Sequence, residues 1–311
     1  MMKAVVLSDW GEASNFSVQD VPTPGIQPGE VLVRVRAFGV NPADFKTRSG
    51  TAPYAKAYTH PIILGWDMAG DVVDVGSGVT EFQKGDAVYG MVNFPSPGQT
   101  YAEYVAAPAD NLALKPAKLT YEQAAAAPLA VLTAWQALTE HGHLEAGQTV
   151  LIQAASGGVG HLGVQLAKAL GATVIGTASG KNEAFVRSLG VDEFIDYTTT
   201  KVEEVLNDID LVFDTAGADT IFQSAEVLKP GGRLISIAYG AMDKVLAERP
   251  DIIAERILVH TSGDDLRTIN ALIDAGKLHI EVSQVLPADQ MAEAHRQLES
   301  RRTTGKIVLH F

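Results

Sequence analysis

Three glycines, Gly157, Gly158 and Gly160, lie in a turn between an apolar run, Val150 to Ile152, and a helical pattern from His161 to Leu170. Gly171 breaks that pattern, and a second apolar run, Thr173 to Thr177, follows. The spacing is that of a strand–turn–helix–strand crossover. Glycines let a backbone approach a phosphate, and the N–H groups at a helix start attract negative charge. The turn Ala155, Ser156, Gly157, Gly158, Val159, Gly160 therefore suits a dinucleotide pyrophosphate. It departs from the usual G-x-G-x-x-G spacing, because Ala154 stands where the first glycine would be. An ordinary glycine turn is the competing reading; the strand before and helix after set this one apart.

The tip of the second strand bears on which dinucleotide. An NAD site carries an Asp or Glu about 20 residues after the glycines, on the ribose hydroxyls. Here the tip reads Thr177-Ala178-Ser179-Gly180-Lys181, with no acid. Ser179 can donate to a 2′-phosphate and Lys181 can neutralise it. Arg187, on a helix, is better read as solvated. NADP(H) is the expected cofactor.

The elements that position these residues form two domains. Residues 3–8, 31–38, 69–75, 87–92 and 101–107 read as short strands separated by turn-forming stretches such as VPTPGIQPGE. They predict a small antiparallel barrel or sandwich over roughly 1–120. From Tyr121 the texture changes. Thr120 is placed to cap a helix that Pro128 kinks or splits. Strands at 149–153, 173–177, 193–196, 209–213, 232–237 and 256–260 then alternate with helices, including 181–189 and 219–228. This predicts an α/β fold with a doubly wound parallel sheet over 121–262. A helix from Asp264, a strand at 279–285, a helix from Ala288 and a last strand, Lys306 to His310, return to the first domain. It thus comprises 1–120 and 263–311.

Composition narrows the partners. A net charge of −13 disfavours nucleic acid and anionic membrane surfaces. The chain has no cysteine, so disulfides and thiolate chemistry are excluded and a typical zinc site is disfavoured. Of the eight histidines only His141 and His143 are close in sequence, beside Gly142, where solvated loop residues are the simpler reading. The longest apolar stretch, Ala124 to Trp135, contains Pro128 and is shorter than a membrane helix needs. A soluble cytoplasmic protein is expected.

Longer stretches carry a resemblance: GVNPADFKTRSG (39–50), PIILGWDMAG (61–70), VGSGVTEFQKGDAVYG (75–90), AAPLAVLTAW (126–135), AASGGVG (154–160), RSLGVDEFIDY (187–197), VFDTAGAD (212–219), LKPGGRLISI (228–237) and TTGKIVL (303–309). In this order over nearly the whole chain, they resemble a zinc-less medium-chain dehydrogenase/reductase of the quinone oxidoreductase and alkenal reductase branch. The resemblance implies a GroES-like domain built from both chain ends around an inserted Rossmann domain, and a homodimer. It also implies that zinc is missing, because Asn41 stands where the zinc enzymes have a ligating Cys and Trp66 where they have a ligating His. The implied reaction is hydride transfer from NADPH to a quinone or an α,β-unsaturated carbonyl.

By the same resemblance Asn41 donates its amide beside the nicotinamide, and the Lys46 ammonium stabilises the developing oxyanion or contacts the cofactor. Bacterial quinone reductases have Tyr at position 46; the N-P-x-D-x-K form here matches alkenal reductases and tilts the substrate toward enones. Asp44 is read as a structural cap and Asp67 as a supporting partner. Thr133 is carried over to the nicotinamide, Tyr197 to the adenosine phosphate, and Ala238 and Tyr239 to the sheet's ligand-binding end. Lys306 is carried over to the cofactor cleft. Two other readings stand beside this one: an enoyl-thioester reductase, and a non-catalytic NADPH-binding structural or sensor protein.

Overall fold

Short alternating runs build the first strands of the computed structural model: β1 (Met2–Leu7), β2 (Phe16–Val21), β3 (Glu30–Gly39), β4 (Ile62–Ile63), β5 (Asp67–Val75), β6 (Ala87–Met91), β7 (Tyr104–Pro108) and β8 (Leu112–Leu114). The structure describes residues 1–217, 220–238 and 240–311. In β3, Val31 and Val33 are buried while Arg34 and Arg36 face outward. A register shift between Val35 and Ala37 then puts both Ala37 and Phe38 inside. Helix α1 (Pro42–Arg48) follows β3, with Pro42 at the first helical position, where a missing N–H costs nothing.

The change of texture after Thr120 is helical, as expected. Thr120 caps α2 (Tyr121–Ala126): its hydroxyl accepts from the Gln123 N–H at 3.2 Å, and the Gln123 side chain accepts from the Thr120 N–H at 3.1 Å. Pro128 ends that helix and starts α3 (Pro128–Gln136).

Next come β9 (Thr149–Ile152), α4 (Gly160–Ala169), β10 (Thr173–Ala178), α5 (Glu183–Ser188), β11 (Glu193–Asp196), α6 (Val202–Val205), β12 (Ile209–Asp214), α7 (Thr220–Glu226), β13 (Leu228–Ser236), α8 (Met242–Glu248) and β14 (Ile253–Arg256). The chain ends with α9 (Gly263–Asp274), β15 (Val282–Pro287), α10 (Met291–Glu299) and β16 (Lys306–His310).

Among the described residues, β9 to β14 form one parallel sheet in the order β11-β10-β9-β12-β13-β14. Strand order reverses between β9 and β12, the switch point at whose carboxyl end such sheets bind ligands. Val150, Leu151, Ile152, Val212 and Phe213 are fully buried, so the central strands read as continuous apolar runs. A second sheet runs β15-β16-β3-β5-β6-β8 with β7 on β3, and a small one runs β2-β1-β4. Both are antiparallel except for the β15–β16 pair.

The chain divides into two compact units: Met1–Leu132 with His260–Asp274 and Ile280–Phe311, and Thr133–Val259 with Ala275–His279. The first boundary lies beyond Tyr121 because α2 packs on β3, β5 and β16. At the sheet edge, 256–260 is not the sixth strand. Ile253 to Arg256 take the register against Arg233 to Ser236, and Ile257 and Val259 are buried beyond the strand end. Apolar alternation marks burial, which outlasts the ladder here.

Candidate active site

In the first unit, α1 is fixed at its start by Asp44, whose Oδ2 accepts the Asn41 N–H at 2.7 Å. The cap expected of Asp44 is therefore present, as one half of a capping box with the Asn41 side chain. Its Nδ2 donates to Asp67 Oδ2 at 2.8 Å, and its Oδ1 accepts from Lys306 Nζ. Lys306 also lies 3.8 Å from Asp67 Oδ2 and donates to the Val40 carbonyl at 3.3 Å. The other Asp67 oxygen accepts the Leu129 N–H at 2.8 Å, in the first turn of α3, where a carboxylate is favoured. One buried network thus joins the start of α1, the start of β5, the start of α3 and the start of β16.

Burial sets the ionisation of this network. Asn41 is 1% exposed, Asp67 0%, Asp44 0% and Lys306 4%. Desolvation pushes the Asp67 carboxyl up to about 6, against the pull of Lys306, Asn41 and the Leu129 N–H. The same cause pushes Asp44 up to about 7, opposed by the Asn41 N–H and reinforced by Asp67. Lys306 is held below the usual lysine value by burial, with Asp67 and Asp44 acting the other way. Nearby, burial lowers His295 to about 3, with Arg48 adding to the effect, so the imidazole is neutral; its Nε2 lies 3.4 Å from the Tyr101 hydroxyl.

Lys46 lies outside the network. Its side chain is half-buried, and burial together with Arg301 holds its ammonium below the usual value. Trp66, fully buried, donates its indole N–H to the Ser96 carbonyl at 2.8 Å and meets Tyr54 and Phe94 edge-on.

In the second unit, the glycine turn lies at the carboxyl end of β9. Ala154 takes a left-handed φ of 51°, the conformation a glycine would hold there without strain. Its N–H donates to Thr177 Oγ1 at 3.2 Å, and its carbonyl accepts from Gly157 at 2.9 Å. A Cβ on Gly160 would come 2.2 Å from the Ala154 carbonyl, so glycine is required at that position. Ser156 to Val159 are half-buried, and the amides of Gly158, Val159 and Gly160 have no protein acceptor among the described residues. A pyrophosphate fits such donors.

The other positions carried over to the cofactor are placed as follows. Asn182 Nδ2 donates to Ser156 Oγ at 3.0 Å and to Ser179 Oγ at 3.4 Å, which ties the turn to the end of β10. Lys181 is exposed and Tyr197 is 60% exposed, both at the carboxyl side of the sheet. Ala238 follows β13, its N–H on Ser236 Oγ at 3.2 Å; Tyr239 lies outside the described residues. Thr133 is 3% exposed in α3.

Sequence reasoning missed Asn182, and it missed Asp196. The Asp196 carboxylate, at the end of β11, would lie 2.5 Å from a Cβ on Gly180. It accepts from the Thr198 hydroxyl at 2.7 Å and N–H at 2.9 Å, which hold it below the usual carboxylate range. A carboxylate thus lies on the neighbouring strand beside Gly180, where it accepts from Thr198. Its only sequence signal was its position one residue before Tyr197.

Comparison with known proteins places these parts. Residues 27–117 match the model of the alcohol dehydrogenase GroES-like domain, and residues 189–309 that of zinc-binding dehydrogenases. The chain is 36% identical to the chloroplastic NADPH-dependent alkenal/one oxidoreductase of Arabidopsis thaliana, over 99% of this chain and 79% of that one. The quinone oxidoreductase of Coxiella burnetii superposes with a TM-score of 0.94 at 36% identity, covering 100% of this chain and 99% of the other. The Escherichia coli quinone oxidoreductase, solved in complex with NADPH, gives 0.89 at 28% identity, over 99% and 100%.

Proposed function

The chain belongs to the quinone oxidoreductase branch of the medium-chain dehydrogenase/reductase family, and from that premise we propose that it reduces a quinone or an α,β-unsaturated carbonyl with NADPH, without zinc. The names of its relatives support the reaction class and the cofactor. The observation that carries the reading is the state of positions 41 and 66. The Asn41 oxygen faces an ammonium, which repels a dication, and the Trp66 indole nitrogen is a donor only. Neither can serve as a metal ligand, so no Lewis acid polarises an alcohol at these positions. An electron-poor acceptor does not require one.

NADPH, when bound, supplies the hydride. The glycine turn and the α4 amides hold its pyrophosphate, with Ser179 and Lys181 toward the 2′-phosphate. Asn41 donates an amide N–H where negative charge develops on the acceptor oxygen, and Lys46 adds a positive field there. In an enone, hydride adds to the β-carbon, the π electrons move to oxygen, and the α-carbon takes a proton from solvent. The N-P-x-D-x-K sequence at 41–46 favours enones. The same reading takes the protein as a cytoplasmic homodimer.

The test is direct. Purified protein is mixed with NADPH and then with a small quinone or a short enone, and absorbance of the reduced nicotinamide is followed. Acceptor-dependent loss is expected, with a larger kcat/KM for the enone. Tight NADPH binding with no loss on either acceptor would favour the non-catalytic reading.

A further inference from the structure

We infer that Lys306 and Asp67 are positioning residues that lock the Asn41 side-chain amide in a single orientation, leaving one N–H to face the acceptor. An amide can be turned over without changing its shape, and turning it over exchanges a donor for an acceptor. The two neighbours forbid the exchange here. Lys306 has only donors, and it meets the Asn41 oxygen. An ionised Asp67 has only acceptors, and it meets Nδ2 at 2.8 Å. The reversed amide would set NH2 against ammonium and carbonyl against carboxylate. The lock is itself held, since Asp67 Oδ1 is pinned by the Leu129 N–H at 2.8 Å and Lys306 Nζ by the Val40 carbonyl at 3.3 Å.

This assigns Lys306 a task other than cofactor contact, because its side chain is 4% exposed and its ammonium is committed to Asn41, Asp67 and Val40. The inference rests on the reading above that Asn41 serves the acceptor. A donor aimed at a developing oxyanion contributes through fixed orientation, and groups outside the contact layer supply that fixity.

Lys306→Met alone would leave the Asp67 charge buried and unpaired, which can prevent folding. The paired variant Asp67→Asn/Lys306→Met removes both charges and keeps the chain neutral at that point, so it is made alongside. Three quantities are read: the NADPH dissociation constant by nicotinamide fluorescence, the single-turnover rate with a small quinone at saturating NADPH, and the hydrogen exchange of the Asn41 amide in protein labelled with 15N-asparagine.

A lock predicts affinity for NADPH within about twofold of wild type, a rate lowered about tenfold or more, and faster amide exchange. Adding Asn41→Ala to the paired variant then costs little more, because the two changes disable one device. NADPH affinity weakened tenfold with an unchanged rate at saturation would overturn the inference and make Lys306 a cofactor contact. Unchanged Asn41 exchange in the paired variant would overturn it as well. If wild-type protein turns over neither quinone nor enone, the proposed function fails, and the exchange arm still decides whether the amide is locked.

Discussion

Asp44 caps α1 with one oxygen while fully buried, and the consequence is a pH-dependent stability. Its native carboxyl holds a proton up to about pH 7, whereas an exposed aspartate releases one near pH 4. Between those limits the native state binds more protons than the unfolded chain, so stability falls as pH rises and levels off above 7. Asp67 acts in the same direction up to about 6. The groups facing Asp44 are the Asn41 N–H at the start of its own helix, Asp67 on β5, the Tyr101 hydroxyl and Lys306 on β16. Asp44→Asn keeps an acceptor for the cap and removes the ionisation. Melts from about pH 4.5 to about pH 8 are expected to show the variant losing less than wild type, with the residual slope due to Asp67. Parallel slopes would show that Asp44 does not titrate in this range. At this scale the sequence was legible where chemistry is local, as in the Ser156–Gly160 turn and the Asp44 cap. The Asn41–Lys306 contact joins residues 265 positions apart, and no spacing rule reaches that far.

The elements were read well wherever one face is buried. Alternation marked β3, and Pro128 marked the break between α2 and α3. β2 was missed because its alternation, Phe16 and Val18 against Ser17 and Gln19, stops at Asp20 and four of its six residues are exposed. The placement of α2 against β3 had no sequence signature either, since it depends on an absent side chain. A Cβ on Gly39 would come 2.5 Å from the Ala125 carbonyl and 3.3 Å from Asp67 Cβ. Both neighbours are firm: one is helix backbone, the other the stem of the residue that holds Asn41. Gly39→Ala should therefore cost about 1–3 kcal/mol by overpacking, seen as a lowered melting temperature. It should also slow hydride transfer, because Asn41 lies two residues downstream and Asp67 is pushed directly. A variant that melts and turns over like wild type would mean that α2 moves away freely.

For the whole molecule, the alternation of strands and helices was enough to separate a parallel sheet from a mainly antiparallel unit, while the boundary between them depended on packing that composition does not encode. Assembly is the property the sequence left least marked. β14 ends the parallel sheet, and an edge strand presents unpaired N–H and C=O groups to any copy that approaches. Ile253 is 44% exposed on it, and Leu258 just beyond is 53% exposed, so apolar surface accompanies the open ladder. A two-fold pairing of β14 with its own copy would continue the sheet and cover both residues. Opposing this, each chain carries a net charge of −13, a repulsion that salt screens over about 10 Å at 0.1 M. Sedimentation should accordingly find a dimer that tightens as salt is raised from about 0.02 M to about 0.2 M. Ile253→Lys puts a charge into the seam and should weaken the dimer about tenfold or more while NADPH affinity stays at its wild-type value. A variant that dimerises as tightly as wild type would move the interface away from β14, and a wild-type dimer that loosens with salt would show ion pairs, not covered apolar surface, holding the copies together.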